Sequence, residues 1–261
     1  MQTITLEISA GVARLTLNRP DVHNAFNETV IRELDMAITD LGKDPNVRVI
    51  VLRGAGKSFS AGADIDWMRS QAHATDDENR ASGARMAGLF TTIDHCPKPI
   101  VAGIQGAALG GGSGLTCCVD IAIAAPNALF GFTEVRLGII PAVISPFVMR
   151  RLGYSEARAR FLTGSRFGAE EALRIGMVHA VAEDLDAEVE KTVQELLAGA
   201  TGAHAATKAL IREIWDTPHH QQLAITAEAT AKARASTEGK EGLSAFLDKR
   251  KPSWHPQAAV H

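Results

Sequence analysis

Three consecutive pieces decide the fold class: Ile100-Val101-Ala102-Gly103-Ile104, then Gly106-Ala107-Ala108-Leu109-Gly110-Gly111-Gly112-Ser113-Gly114, then Asp120-Ile121-Ala122-Ile123-Ala124-Ala125. The first and last are short, unbroken apolar runs, the pattern of a strand covered on both faces. Pro97 and Pro99 mark the turn into the first of them. Toward the N-terminus, residues 85–93 read as helix and the β-branched run 47–52 as another buried strand. Before that strand, Val30, Leu34, Ile38 and Leu41 recur at helical spacing, with Asn27 as N-cap and Gly42 as the stop. Ile4, Leu6 and Ile8 alternate with polar residues, Gly11 interrupts, and residues 12–17 resume the pattern, which predicts an opening hairpin. Toward the C-terminus strands become scarce beyond Ser155; residues 178–181 are the last candidate, and 189–197, 205–215 and 223–233 read as helices. The chain is therefore α/β. We expect a core over residues 1–195 and a helical region over 196–261.

Composition excludes several classes of partner. The 27 basic and 30 acidic residues are spread along the chain, with no dense basic tract to neutralise a row of phosphates, so nucleic acid is not an expected partner. No apolar run reaches the ~18 residues needed to span a bilayer, so no membrane association is expected. The three cysteines are odd in number and lack CxxC spacing, which fits small core residues in a reducing, cytoplasmic setting. His219-His220 lack a second cluster at ligand spacing, so no metal site is expected.

Two glycine-bearing turns interrupt the core, one at residues 60–65 and one at 106–114, each between a strand and a helix start. Unpaired N–H groups at a helix N-terminus point at whatever sits in front of it, and small residues let a ligand approach the backbone. Two such turns facing each other can grip one oxygen; alternatively, the glycines serve only tight turns and close packing. Sharper motifs fail on single residues. Gly54-Ala55-Gly56-Lys57-Ser58 lacks the earlier glycine of a phosphate loop, because position 51 is Val51. Leu115 stands where a dinucleotide fingerprint needs glycine or alanine and where a nucleophile elbow around Ser113 needs glycine.

The strings Asn18-Arg19-Pro20-Asp21-Val22-His23-Asn24-Ala25, Ser58-Phe59-Ser60-Ala61-Gly62-Ala63-Asp64-Ile65 and Gly106 to Gly112 resemble, in this order, the enoyl-CoA hydratase/isomerase (crotonase) family. The resemblance continues through Phe130-Gly131-Phe132-Thr133-Glu134, Leu137-Gly138-Ile139-Ile140-Pro141 and Glu241-Gly242-Leu243-Ser244-Ala245-Phe246. It implies a spiral of repeated strand-strand-helix units and a C-terminal helical region that builds trimers, commonly paired into hexamers. It also implies an oxyanion hole made by the N–H groups of Ala63 and Gly111. Val22, His23, Ala61, Asp64 and Ile65 are then expected along the acyl-CoA, with Phe246 and Lys249 reaching its nucleotide end from a neighbouring subunit. No cofactor is implied beyond the coenzyme A that is part of the substrate. Asp66 stands where many relatives have lysine.

Family hydratases usually carry two glutamates that share a water. Here the first position is Gly114 and the second is Glu134. Adding water needs a base to deprotonate it, whereas moving a double bond needs only one group shuttling a proton, so one carboxylate favours an isomerase on chemistry alone. Against this, the sequence around Gly114 and the stretch from Thr133 to Pro146 look like a subgroup assigned to hydration of methylglutaconyl-CoA or related branched acyl-CoAs. The expectation is a hydro-lyase, with a double-bond isomerase using Glu134 alone, or a non-catalytic acyl-CoA binding protein, as alternatives. Ala142-Val143-Ile144-Ser145-Pro146 replaces a commoner glycine-rich stretch and reshapes the pocket. Asp120 is expected to bond buried backbone, and Trp67 and Met68 to line the acyl pocket or belong to the core.

Overall fold

The computed structural model describes residues 1–258. Residues 259–261 of the expected C-terminal region lie outside them. The chain opens with the hairpin β1 (Ile4–Ser9) and β2 (Val12–Leu17), followed by α1 (Glu28–Lys43) and β3 (Val49–Gly54). Asn27 caps α1 by accepting the Val30 N–H. Gly42 does not stop this helix. It lies in the last turn, where its bare Cα lets Pro97 approach; a Cβ there would meet Pro97 Cδ at 3.2 Å.

Next come α2 (Ile65–Gln71), α3 (Asp76–His95), β4 (Ile100–Ile104), β5 (Ala107–Leu109), α4 (Gly111–Cys118), β6 (Ile121–Ala124) and β7 (Leu129–Gly131). Strands β1-β2-β3-β4-β6 with β9 (Ala180–Val181) form one sheet, antiparallel only between β1 and β2; β5 and β7 with β8 (Arg166–Gly168) form a second. After β4 and again after β6 the chain adds a short strand to the small sheet and then a helix. This is the spiral of strand-strand-helix units. Even the turn after β3 takes part, since Ser60 bridges Ala108 in parallel.

The long helix α5 (Ser145–Thr163) leads through β8 (Arg166–Gly168), α6 (Ala169–Arg174) and β9 (Ala180–Val181) to α7 (Leu185–Leu197). Alternation along β3 shows how the layers form: Ile50 and Leu52 face Leu34, Ile38 and Leu89, while Val49 and Val51 face Val189 and Val193 of α7. Both faces are covered, which is why the strand reads as continuous apolar sequence. Asp120 closes the start of β4, its Oδ2 accepting from the Ile100 N–H at 2.7 Å and from Lys208 at 2.5 Å.

Three helices follow: α8 (Thr201–Trp215), α9 (His219–Ala235) and α10 (Thr237–Leu247). Arg48, entering β3, binds this end of the chain, donating to the carbonyls of Leu197 (2.6 Å), Gly199 (3.0 Å) and Trp254 (2.9 Å). No described helix is long and apolar enough to cross a membrane, and no cluster of three or more His, Cys, Asp or Glu among the described residues could hold a metal.

Candidate active site

The two glycine turns meet. Gly62 (φ +95°) and Gly110 (φ +50°) lie in the left-handed region that glycine enters without a Cβ penalty. A Cβ on Gly62 would come 2.9 Å from Leu109 O, and one on Gly110 would come 3.9 Å from Gly62 Cα, so the backbones of the two turns are in contact. Ala63 follows the first glycine and Gly111 the second. The Phe26 N–H donates to Gly62 O (2.7 Å) and the Asp64 N–H to Phe26 O (2.8 Å), which holds the Ala63 peptide from both sides. The Ala63 N–H itself has no acceptor among the described residues. Gly111 opens α4, so its N–H has no intrahelical acceptor either, and helix polarity makes this end positive. By contrast, the Gly110 N–H is engaged by Gly131 O at 2.8 Å.

Phe26 and Asp64, which support the two turns, are buried. The Phe26 ring lies against Gly111, where a Cβ would come 2.7 Å from its Cδ2 and Cε2. Asp64 caps α2: its Oδ1 accepts from the N–H groups of Asp66 (2.9 Å) and Trp67 (3.3 Å), and its Oδ2 pairs with Arg19 at 2.8 Å. Arg19 in turn donates to Ala25 O at 2.7 Å. Burial pushes the Asp64 carboxyl up, but the Arg19 hydrogen bond, the two N–H groups and the Arg19 charge outweigh it and leave it below the usual carboxylate range. Asp64, expected along the substrate, therefore has its carboxylate committed to holding the Ala63 turn.

Glu134 stands in a single 3₁₀ turn, Glu134–Leu137, just after β7. Its Oε1 is 3.4 Å from where a Cβ on Gly110 would be, so the carboxyl lies against the start of α4. Its Oε2 is buried with no hydrogen-bond partner among the described residues. Burial raises its pKa above the ordinary value of 4.5, and a hydrogen bond from its own backbone offsets only part of that. Such an orphaned oxygen costs about 1–3 kcal/mol, a cost that functional sites tolerate.

The family model for enoyl-CoA hydratase/isomerase matches residues 7–257. The chain belongs to this family. The crotonyl-CoA hydratase of Syntrophomonas wolfei is 37% identical over 257 residues, covering 97% of this chain and 98% of the relative. The short-chain-enoyl-CoA hydratase of Clostridium acetobutylicum is 34% identical, covering 96% and 97%. Among solved structures, an enoyl-CoA hydratase from Shewanella pealeana superposes with a TM-score of 0.95 at 40% identity, over 97% of this chain and 96% of that one. Pseudomonas aeruginosa AtuE gives 0.94 at 41%, over 97% and 100%.

In this crotonase chain, Val22, His23, Ala61 and Ile65 gather on a rim beside Ala63. The Ala61 N–H donates to His23 O (2.9 Å), the His23 Nδ1 is 3.0 Å from Ser58 Oγ, and Val22 and Ile65 are exposed. Phe246 and Lys249 lie elsewhere, at the end of α10 and just beyond it; Phe246 is 80% exposed. No hydrogen bond or ion pair among the described residues joins either to the rim. Trp67 is half-buried against the core, with its Nε1 buried and unpartnered among the described residues. Sequence reasoning assigned no individual role to Arg19, Phe26 or Ile144. Arg19 lay inside a quoted family string and Ile144 inside the 142–146 stretch that reshapes the pocket, whereas Phe26 carried no signal, because its partner Gly111 lies far along the chain.

Proposed function

We propose that this crotonase hydrates an α,β-unsaturated acyl-CoA, with Glu134 as its one acid–base group. The observation that carries the reading is the buried, unpartnered Glu134 carboxyl set against the helix start that presents the free Gly111 N–H. The thioester oxygen would sit between the Ala63 and Gly111 N–H groups. As water attacks the β-carbon it gives a proton to the Glu134 carboxylate; the double-bond electrons move toward the thioester, and the charge develops on the oxygen held by the two donors. Protonated Glu134 then returns the proton to the α-carbon, so one water is added and the carboxylate is restored. Each fixed donor is worth about 3 kcal/mol to that developing charge. The raised pKa brings Glu134 nearer the range in which it can both take and return a proton.

The acyl chain we infer is branched, with methylglutaconyl-CoA as one such substrate; the resemblance around residues 133–146 supports this. Phe246 and Lys249 of a neighbouring subunit would meet the nucleotide end, in a trimer or a hexamer. Gly114 favours a second reading, a double-bond isomerase, because one carboxylate suffices to move a proton between two carbons. Incubating the pure protein with a panel of enoyl-CoA thioesters, followed by mass spectrometry, separates the readings. A gain of one water supports hydration. Unchanged mass with a shifted double bond replaces it with isomerisation, and binding without turnover of any member removes both.

A further inference from the structure

Ile144 stands where the first catalytic glutamate of two-carboxylate relatives would project. A Cβ built on Gly114 would overlap Ile144 Cγ2, lie 3.0 Å from Ile144 Cβ and 3.3 Å from Phe90 Cε1. Ile144 is 2% exposed and Phe90 fully buried, so neither is a flexible surface group that can swing aside. The position is also one helical turn along α4 from Gly110, whose Cα faces Glu134: the Gly114 N–H donates to Gly110 O at 2.9 Å.

The local chain gives an independent sign that Ile144 is placed for this contact. It occupies the N-cap of α5, where serine, threonine, aspartate or asparagine would accept a free N–H, and it makes no side-chain cap bond. Its carbonyl accepts the Val148 N–H at 3.0 Å, so the helix starts here regardless. A bulky apolar residue in a capping position is a conflict between local preference and the whole structure, and such conflicts concentrate at functional sites.

Resting on the hydratase reading, we infer that Ile144 is a specificity-determining residue: with Gly114 and Phe90 it replaces a second carboxylate by an apolar wall one helical turn along α4 from Gly110, against which Glu134 lies, and its size sets which alkyl substituent the acyl chain carries there. The Ala142 to Pro146 stretch is then the segment that reads the acyl chain. Shortening the wall admits a larger substituent. Restoring a side chain at 114 requires removing the one at 144.

Two probes of different bulk test this, crotonyl-CoA and its β-methyl homologue, 3-methylcrotonyl-CoA, compared by kcat/KM in the wild type, Ile144→Val and Ile144→Ala. One methylene in an apolar pocket discriminates by about 10- to 200-fold, so Ile144→Ala should shift the ratio toward the bulkier thioester by at least about tenfold, with Ile144→Val between. The same proteins are titrated calorimetrically with the saturated butanoyl- and 3-methylbutanoyl-CoA, so the ratio of Kd values is read even without turnover. A ratio that stays within about twofold in both variants, folded by circular dichroism, overturns the inference. Absence of hydration in the wild type, with the Kd ratio still shifting, removes the hydratase reading and leaves the wall in place. A second arm measures coupling. Gly114→Ala alone should lower crotonyl-CoA binding by about tenfold or more through the clash, and in the Ile144→Ala background by less than about twofold. Additive effects would show that the two positions do not share one space.

Discussion

At Glu134 the buried carboxyl ties the proposed chemistry to stability. Glu134→Gln keeps the shape and removes proton transfer, so kcat should fall by roughly 10² to 10⁴ while acyl-CoA affinity changes little, read by steady-state kinetics and calorimetry. Because the reaction starts from the carboxylate, wild-type kcat/KM should decline on acidification through a pKa above the ordinary 4.5, the direction set by burial. Stability runs the other way. A carboxyl whose folded pKa is raised stabilises fully below its unfolded value and loses that contribution as pH rises through the folded value. Relative to wild type, Glu134→Gln should therefore gain melting temperature progressively from about pH 4.5 upward, measured by calorimetry across pH. A gain that is flat or shrinks with pH would place the carboxyl in a solvated or paired setting. Arg19 belongs to this scale too: Arg19→Met leaves the Asp64 carboxylate without its cation, at a cost on the order of 3 kcal/mol for such a partly buried pair. Thermal unfolding should show it, with kcat lowered more than KM is raised as the Ala63 peptide loosens.

In the proposed mechanism helix α4 offers its first N–H to the thioester oxygen, and the first helical position is also where proline is tolerated. Gly111→Ala and Gly111→Pro both push a Cβ toward Phe26, but only proline deletes the donor. The two variants should lose similar stability, while turnover per folded molecule falls about a hundredfold or more further in the proline variant. Equal turnover would take this N–H out of the oxyanion hole. Elements like these differ in how far the sequence discloses them. β3, β4, β6, α1 and α7 were legible because apolar runs and helical spacing reflect burial on both faces or on one stripe. β5, β7 and β8 have three residues each, too few for a period to emerge, and they are held by pairing to one another. α5 escaped because Gly153, at φ +76°, breaks its pattern midway, and its start lacks a capping residue. In the site, Ala63, Gly111 and Glu134 could be read from turn chemistry and family strings. The Arg19–Asp64 clamp and the filling of Gly114's space by Ile144 depend on residues up to 45 positions apart, which no local pattern records.

On the scale of the molecule, the last three helices leave much apolar surface uncovered: Trp215, Leu223, Phe246 and Leu247 are 64%, 79%, 80% and 77% exposed. Apolar patches on this scale mark contact surfaces. Light scattering at micromolar concentration should give the mass of three or six chains, and the mass of one chain would refute self-association. Arg48 is one tie between that C-terminal part and the rest, its guanidinium donating to three carbonyls there. Arg48→Ala should leave the sheet intact yet expose the peptide bonds near residues 198–200 to trypsin-free proteolysis, for example by thermolysin, and speed amide exchange there ahead of α7. The lifetime of such a protein in a protease-containing cell would then be governed by how often one side chain lets go, well before the core itself unfolds.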